Sequence, residues 1–436
     1  MRRDFGLWLL PLSAATFAVA FACGGENAEA PRAEVSDAGV ALSCKGFDQL
    51  MPNFLKAVDQ GKTENLRKVI KDHLLVPERE GDPPPINDVM RAIFTTLTTL
   101  AREPAEPGAK GDALCAEVPP PLSSANEMCE VRRVLDLLVH QGKGLQTLDI
   151  IDPQMTALVN YVIGKGVDGK PHYEVAQVVS AQCSQDADCQ LTSGLDLVIA
   201  LTDYLETPEG KKLIADLDTI RTAGDGGPSV LDLLNPNALA ENDAVGLSKV
   251  LLGAIQAGTP SDLDALLNNP LLAPYKTTLK PLVDDLKVVL DPNRALIGPT
   301  RKVLNCINKK DPNSEVVRMI YRLALGPNKL PAFGLTKLLV VANEVKNADV
   351  RGALPHLIGT IAKAVRNDEQ AIDSAAKVCR TLLSTKVPQG QAQSNAQLAL
   401  PVVAEMFTGG IVAEAICAID TLVFGCTGGP QPACKK

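Results

Sequence analysis

Aromatic residues make up only 3% of this 436-residue chain, and its one tryptophan is Trp8. A core that must be built from Leu, Ile, Val and Ala favours helices over strands. So few rings also leave no cluster on which bases or sugars could stack. Histidine is equally scarce: His73, His140, His172 and His356 are the four, and none belongs to an HExxH pair. His140 has one co-ligand a helical turn away, Asp136, and His172 lies two residues before Glu174 in a Gly-Lys-Pro-His-Tyr stretch. Two ligands do not close a metal site. No CxxC pair, GxSxG elbow or complete phosphate loop occurs. Gly142-Lys143-Gly144 and Gly164-Lys165-Gly166 each follow an apolar run, where glycine serves as a helix C-cap. Asp284-Asp285 and the pair Asp216 and Asp218 are expected on solvent faces of helices. These absences predict no catalytic residue, no metal and no cofactor.

Basic clusters are missing too. The formal net charge is −8, which makes nucleic acid and anionic lipid poor partners. Long apolar runs are absent after the first two dozen residues: Leu335–Ala342, for example, is cut by polar residues within two or three turns. Hydrophobic residues at 46% and charged residues at 22% are ordinary for a folded body.

Helical periodicity is abundant. Val350, Leu354, Leu357, Ile358, Ile361 and Val365 form an apolar stripe at steps of 4, 3, 1, 3 and 4. Leu335, Leu338, Leu339, Ala342 and Val345 form another. Ile372, Ala375, Ala376, Cys379, Leu382 and Leu383 form a third, and Leu213, Ile214, Leu217 and Ile220 a fourth. Asn347-Ala348-Asp349 and Arg366-Asn367-Asp368 offer caps, and Gly226-Gly227-Pro228 and Gly326-Pro327-Asn328 offer breaks. Leu286–Leu290 is the best strand candidate, but it sits better on a helix continuing from Leu282. Gly194-Leu195, Gly246-Leu247 and Gly334-Leu335 open similar apolar segments 52 and 88 residues apart, and 88 is two units of about 44. Pro281, Pro355 and Pro401 recur at apolar helix starts. Proline belongs in a first turn, where its missing N–H has no partner anyway; Pro355 lies within a stripe, so a kink or break is expected there. The expected fold is all-α, an irregular helical array or α-solenoid of HEAT- or armadillo-like architecture. The consensus motifs of those two families are not matched.

The first residues carry a different message. Met1-Arg2-Arg3 is basic, Phe5 to Phe21 is mostly apolar, and small residues flank Phe21 in Ala20-Phe21-Ala22-Cys23, followed by Gly24-Gly25. This layout is that of a secretory signal. The four residues ending in Cys23 resemble the lipobox of bacterial lipoproteins, with alanine where that family prefers leucine. The resemblance implies cleavage before Cys23 and attachment there of a diacylglyceryl thioether and an N-linked acyl chain of the palmitate class. Several acyl chains give stable anchoring where one is marginal. In that family glycine rather than aspartate after the cysteine favours the outer membrane. An ordinary signal cut after Ala22, with release into the periplasm or medium, also satisfies the small-x-small rule. Loss of residues 1–22 would remove two arginines and one aspartate and take the charge from −8 to −9.

The expected organisation follows. Residues 1–22 are the signal, and 23–42 an acidic tether with Glu26, Glu29, Glu34 and Asp37 against Arg32. As a coil the tether spans about 20–25 Å. Residues 43–118 form a helical subdomain bounded by Pro119-Pro120-Pro121, and 119–436 form a repeat-like body stapled by disulfides.

Eleven cysteines are an odd total, and a lipidated Cys23 leaves ten, an even number suited to an oxidising compartment. Sequence-local pairing predicts Cys183 with Cys189, Cys115 with Cys129, and Cys426 with Cys434, while Cys306 and Cys379 could join two helices. Asp186 and Asp188, between Cys183 and Cys189, lack calcium-loop spacing and read as a solvated disulfide loop. The expected function is that of a membrane-anchored envelope lipoprotein acting as a non-catalytic interaction or scaffold protein, attached through its lipid and holding a protein partner. The alternatives are a periplasmic binder of a small apolar or lipid ligand between helices, and an enzyme with a dispersed site.

Overall fold

The computed structural model describes residues 186–222, 239–325 and 348–408, with isolated positions at 152, 153, 156 and 160. Among the described residues the regular structure is helical and no strand occurs. The all-α expectation therefore holds for this part of the chain. The chain divides into two compact units; the segments 186–222 and 239–325 belong to one and 348–408 to the other.

The first unit begins with α1 (Leu191–Glu206) and α2 (Pro208–Thr222), joined by Thr207 alone. The corner is chemically specified. Thr207 Oγ1 donates to Tyr204 O at 2.6 Å and accepts from Gly210 N at 3.1 Å, so one hydroxyl ends α1 and caps α2. Pro208 follows as the first helical residue, where no N–H is needed. Gly210 is required by the tightness of the turn: a Cβ there would lie 2.1 Å from Tyr204 O. The connection packs α1 directly on α2.

After the undescribed stretch come α3 (Glu241–Ala257), a 3₁₀ turn (Pro260–Leu263), the one-turn α4 (Asp264–Leu267), a second 3₁₀ turn (Ala273–Tyr275) and α5 (Lys276–Val289). Then follow α6 (Ile297–Lys310) and α7 (Glu315–Leu325). Helix α5 packs against α2, α6 against α1 and α3, and α7 against α3. The expected helical course of Leu286–Val289 is observed in α5.

The core collects Tyr204, Leu213, Ala254, Ile255, Leu263, Leu267, Val283, Val289, Leu290, Leu296 and Ile297. Leu263 is its plug, with no exposed surface, and it sits in a 3₁₀ turn outside every apolar stripe read from the sequence. Polar fixings surround this core. Arg301 Nε donates to Ile255 O at 3.1 Å near the end of α3. Asp311 is buried and accepts from Glu315 N and Val316 N at 2.7 and 2.9 Å, capping α7. Arg318 and Tyr321 of α7 then reach back to Glu241 and to Leu239 O, at 3.0 and 2.7 Å.

The second unit's described part is α8 (Ala348–Asn367), α9 (Glu369–Leu382) and α10 (Asn395–Thr408), packed in sequence order. Asp368 caps α9 by accepting from Ala371 N at 3.0 Å, as its position in the sequence suggests. Ser394 and Gln397 form a reciprocal capping box at the start of α10. The buried face of α9 is Ala371, Ser374, Ala375, Val378 and Leu382. The expected stripe through Ile372, Ala376 and Cys379 is thus rotated by one residue. Helix α9 packs against both α8 and α10.

The prolines correct the sequence reading. Pro281 and Pro401 lie inside helices, beyond the first turn of α5 and α10; Pro355 lies within its stripe as expected, and α8 continues through it without a break. Each removes one backbone hydrogen bond, and the helical course continues on both sides. Gly194-Leu195 and Gly246-Leu247 likewise fall within α1 and α3 rather than at their starts. Gly334-Leu335, the stripe beginning at Leu335 and both glycine-proline breaks lie outside the described residues.

Replacing Leu263 by alanine is expected to lower stability by about 2–5 kcal/mol, the usual range for a fully buried leucine. Denaturant unfolding of the full chain measures this.

Candidate functional site

Cys23 lies outside the described residues, as do Cys115, Cys129, Cys183, Cys426 and Cys434, the histidines 73, 140 and 172, and both Gly-Lys-Gly segments. His356 is in α8, its imidazole partly covered. No group of three or more His, Cys, Asp or Glu side chains able to hold a metal occurs among the described residues. None of the described helices is long and apolar enough to cross a membrane.

Cys189 is bonded to Cys306, with Cα atoms 5.0 Å apart and a separation of 117 positions in sequence. This corrects two expectations: Cys189 does not pair with Cys183, and Cys306 does not pair with Cys379. The physical reason is the packing of α1 on α6, which brings Cys189, two residues before α1, against the last turns of α6. Sequence proximity cannot register that approach. Cys379 of α9 is also half of a cystine, with its other half outside the described residues. Both Cys189 and Cys306 are fully buried. Lys309, one turn beyond Cys306, donates to Asp186 at 2.5 Å and holds that carboxyl below its ordinary range. Asp186 also accepts from Asp188 N at 3.2 Å.

The second polar feature is the seam between α2 and α5. Lys212 Nζ lies 2.6 Å from Asp216 Oδ2 on its own helix and 2.5 Å from Asp285 Oδ1 across the seam. Asp285 is only 7% exposed, which corrects its expected place on a solvent face. It follows Asp284, and neighbours along a helix point about 100° apart, so the pair splits between core and solvent. Asp284 faces out to Lys280 and Lys287, at 2.7 and 3.5 Å.

The environments push the two carboxyls apart. The Lys212 hydrogen bond holds Asp216 below the ordinary aspartate value. Burial raises Asp285, and Asp216 adds to that rise while Lys212 opposes it. Lys212 is driven upward by its hydrogen bonds to Asp216 and Asp285. Above the pair, Tyr204 Oη is buried, and no protein group hydrogen-bonds to it. Burial raises the phenol, and the Asp285 charge raises it further. Glu209 and Arg294 close the rim with a 3.5 Å ion pair. Opposed carboxyl values are the pattern used in acid–base chemistry. Here a lysine ammonium bridges the two groups, and the inner one is covered. Neither feature follows from residue spacing: Lys212 and Asp285 are 73 positions apart.

The chain matches no family model, no curated protein and no solved structure.

Two outcomes are expected of variants here. Cys306→Ser should lower stability by about 2–5 kcal/mol, and non-reducing peptide mapping of the wild-type chain should find Cys189 linked to Cys306. Tyr204→Phe removes no protein hydrogen bond, so its unfolding midpoint should stay within about 1 kcal/mol of wild type.

Proposed function

We propose that this chain is a lipid-anchored envelope protein whose helical body is a non-catalytic scaffold for a protein partner. The observation that carries this reading is Ala20-Phe21-Ala22-Cys23 at the end of a basic-then-apolar segment, which resembles a lipobox. Cys23 takes the acyl chains, the acidic stretch through residue 42 holds the body away from the headgroups, and the outer membrane is the expected destination. The cystine between Cys189 and Cys306 supports an oxidising compartment.

A scaffold role is supported by how the described polar side chains are used. Lys212, Lys287, Lys309 and Arg318 are all committed to ion pairs that tie one helix to another or to a connection. In this reading the body is an irregular helical array in which successive helices stack on their neighbours, as α8, α9 and α10 do. Such arrays present extended surfaces to partners.

The anchoring claim is tested by Cys23→Ala. The variant should lose labelling by a clickable palmitate analogue and move from the membrane fraction to the soluble fraction. Unchanged partitioning would exclude lipid anchoring through this residue.

A further inference from the structure

We propose that the Cys189–Cys306 cystine is an oxidation-set lock. The first unit reaches its stable fold only once an oxidant carrying a disulfide has joined the two thiols, and the finished fold then keeps reducing thiols away from the bond. The proposal rests on the placement of this one cystine and does not depend on the lipid anchor.

Topology carries the first half. Cys189 lies two residues before α1, and Cys306 lies in the second half of α6. The whole main core, from Tyr204 to Ile297, lies between them in sequence. That core is thin: among the described residues, Leu263 is the one large side chain with essentially no exposed surface. An aliphatic core of this kind leaves little surplus over the entropy of ordering the chain. Without the bond, the unfolded ensemble regains the freedom of a loop of 117 positions, on the order of 1,000-fold in the folding equilibrium by the chain-entropy model. The cystine also stands apart from the main core, its two halves forming a separate buried cluster among the described residues. Packing in the main core therefore does not substitute for it.

Formation of the bond balances as two successive exchanges. The thiolate of one cysteine attacks a sulfur of the oxidant's disulfide, which makes a mixed disulfide and releases one thiol of the oxidant. The thiolate of the other cysteine then attacks the chain's own sulfur in that mixed disulfide and expels the second thiol. The chain loses two electrons and two protons, and the oxidant gains both.

Burial carries the second half. Neither Cys189 nor Cys306 has exposed surface. Reduction runs the same exchanges in reverse and needs an attacking thiolate in contact with a sulfur. With α1 packed on α6, no thiol reaches either sulfur until these segments part. The order of events is thereby fixed: oxidation accompanies folding and is not undone afterwards. A chain kept reduced stays loosely folded in this unit, and a chain that has met the oxidant is committed.

Two measurements on the full chain test the lock. In the first, wild-type protein is incubated with dithiothreitol at about pH 8, where thiolate is available, with and without denaturant. Freed thiols are trapped with iodoacetamide and located by mass spectrometry. Trapping at Cys189 and Cys306 should be at least about 100-fold slower without denaturant, because the bond must wait for opening. Equal rates in the two conditions overturn the shielding. In the second, hydrogen exchange is followed in peptides covering 191–206 and 297–310 of the Cys189→Ala/Cys306→Ala double variant. Protection should fall at least about 30-fold against wild type, the low end of what a cystine ordinarily supplies. A smaller fall overturns the need for the bond. If the variant is not recovered, wild-type chain refolded from denaturant in dithiothreitol decides the same point: a reduced chain that regains wild-type protection in these peptides overturns the proposal, and one that stays unprotected supports it.

Discussion

The cystine between Cys189 and Cys306 is the constraint on which the first unit rests. Every residue of that unit's main core, from Tyr204 to Ile297, lies within the loop it closes. In the chain-entropy picture, closing a loop of 117 residues removes about 5 kcal/mol of freedom from the unfolded ensemble. That is comparable with the whole net stability of a domain. The Asp186–Lys309 ion pair reinforces the same junction but is exposed to solvent screening, so the covalent bond dominates.

Inside that loop the core is aliphatic. With so few aromatic side chains, it is filled by leucine, isoleucine and valine, and by leucine in short connecting turns as much as on long helices. Leu263, Leu290 and Leu296 are all buried and all lie outside the α-helices. The same connections fix the helix ends. Thr207 closes α1 and opens α2 with one hydroxyl, and Asp311 opens α7 with both carboxylate oxygens. Tight corners allow α2 to lie on α1 and to carry Lys212 and Asp216 to the edge of α5.

The polar seam so formed differs in kind from the other ion pairs. Lys280 with Asp284 is a solvated helical neighbour pair, worth little. The α2–α5 bridge places a carboxyl in the core margin, beside a buried phenol, with one ammonium serving two acids. Burying it costs free energy that a neutral pair would not.

The composition of the chain determined a good deal by itself. Low aromatic content and periodicity at 3.6 residues specify helices, because both are local properties of successive side chains. Asp368 was legible as a cap for the same reason, since a cap bonds three residues on. Tertiary structure alone decided the rest. Which cysteine meets Cys189 depends on the packing of α1 against α6, and sequence proximity pointed to Cys183 instead. Which of Asp284 and Asp285 is buried depends on how α5 is rolled against α2. Each of these is a contact between residues distant in the chain, and its energy exists only once the helices are assembled.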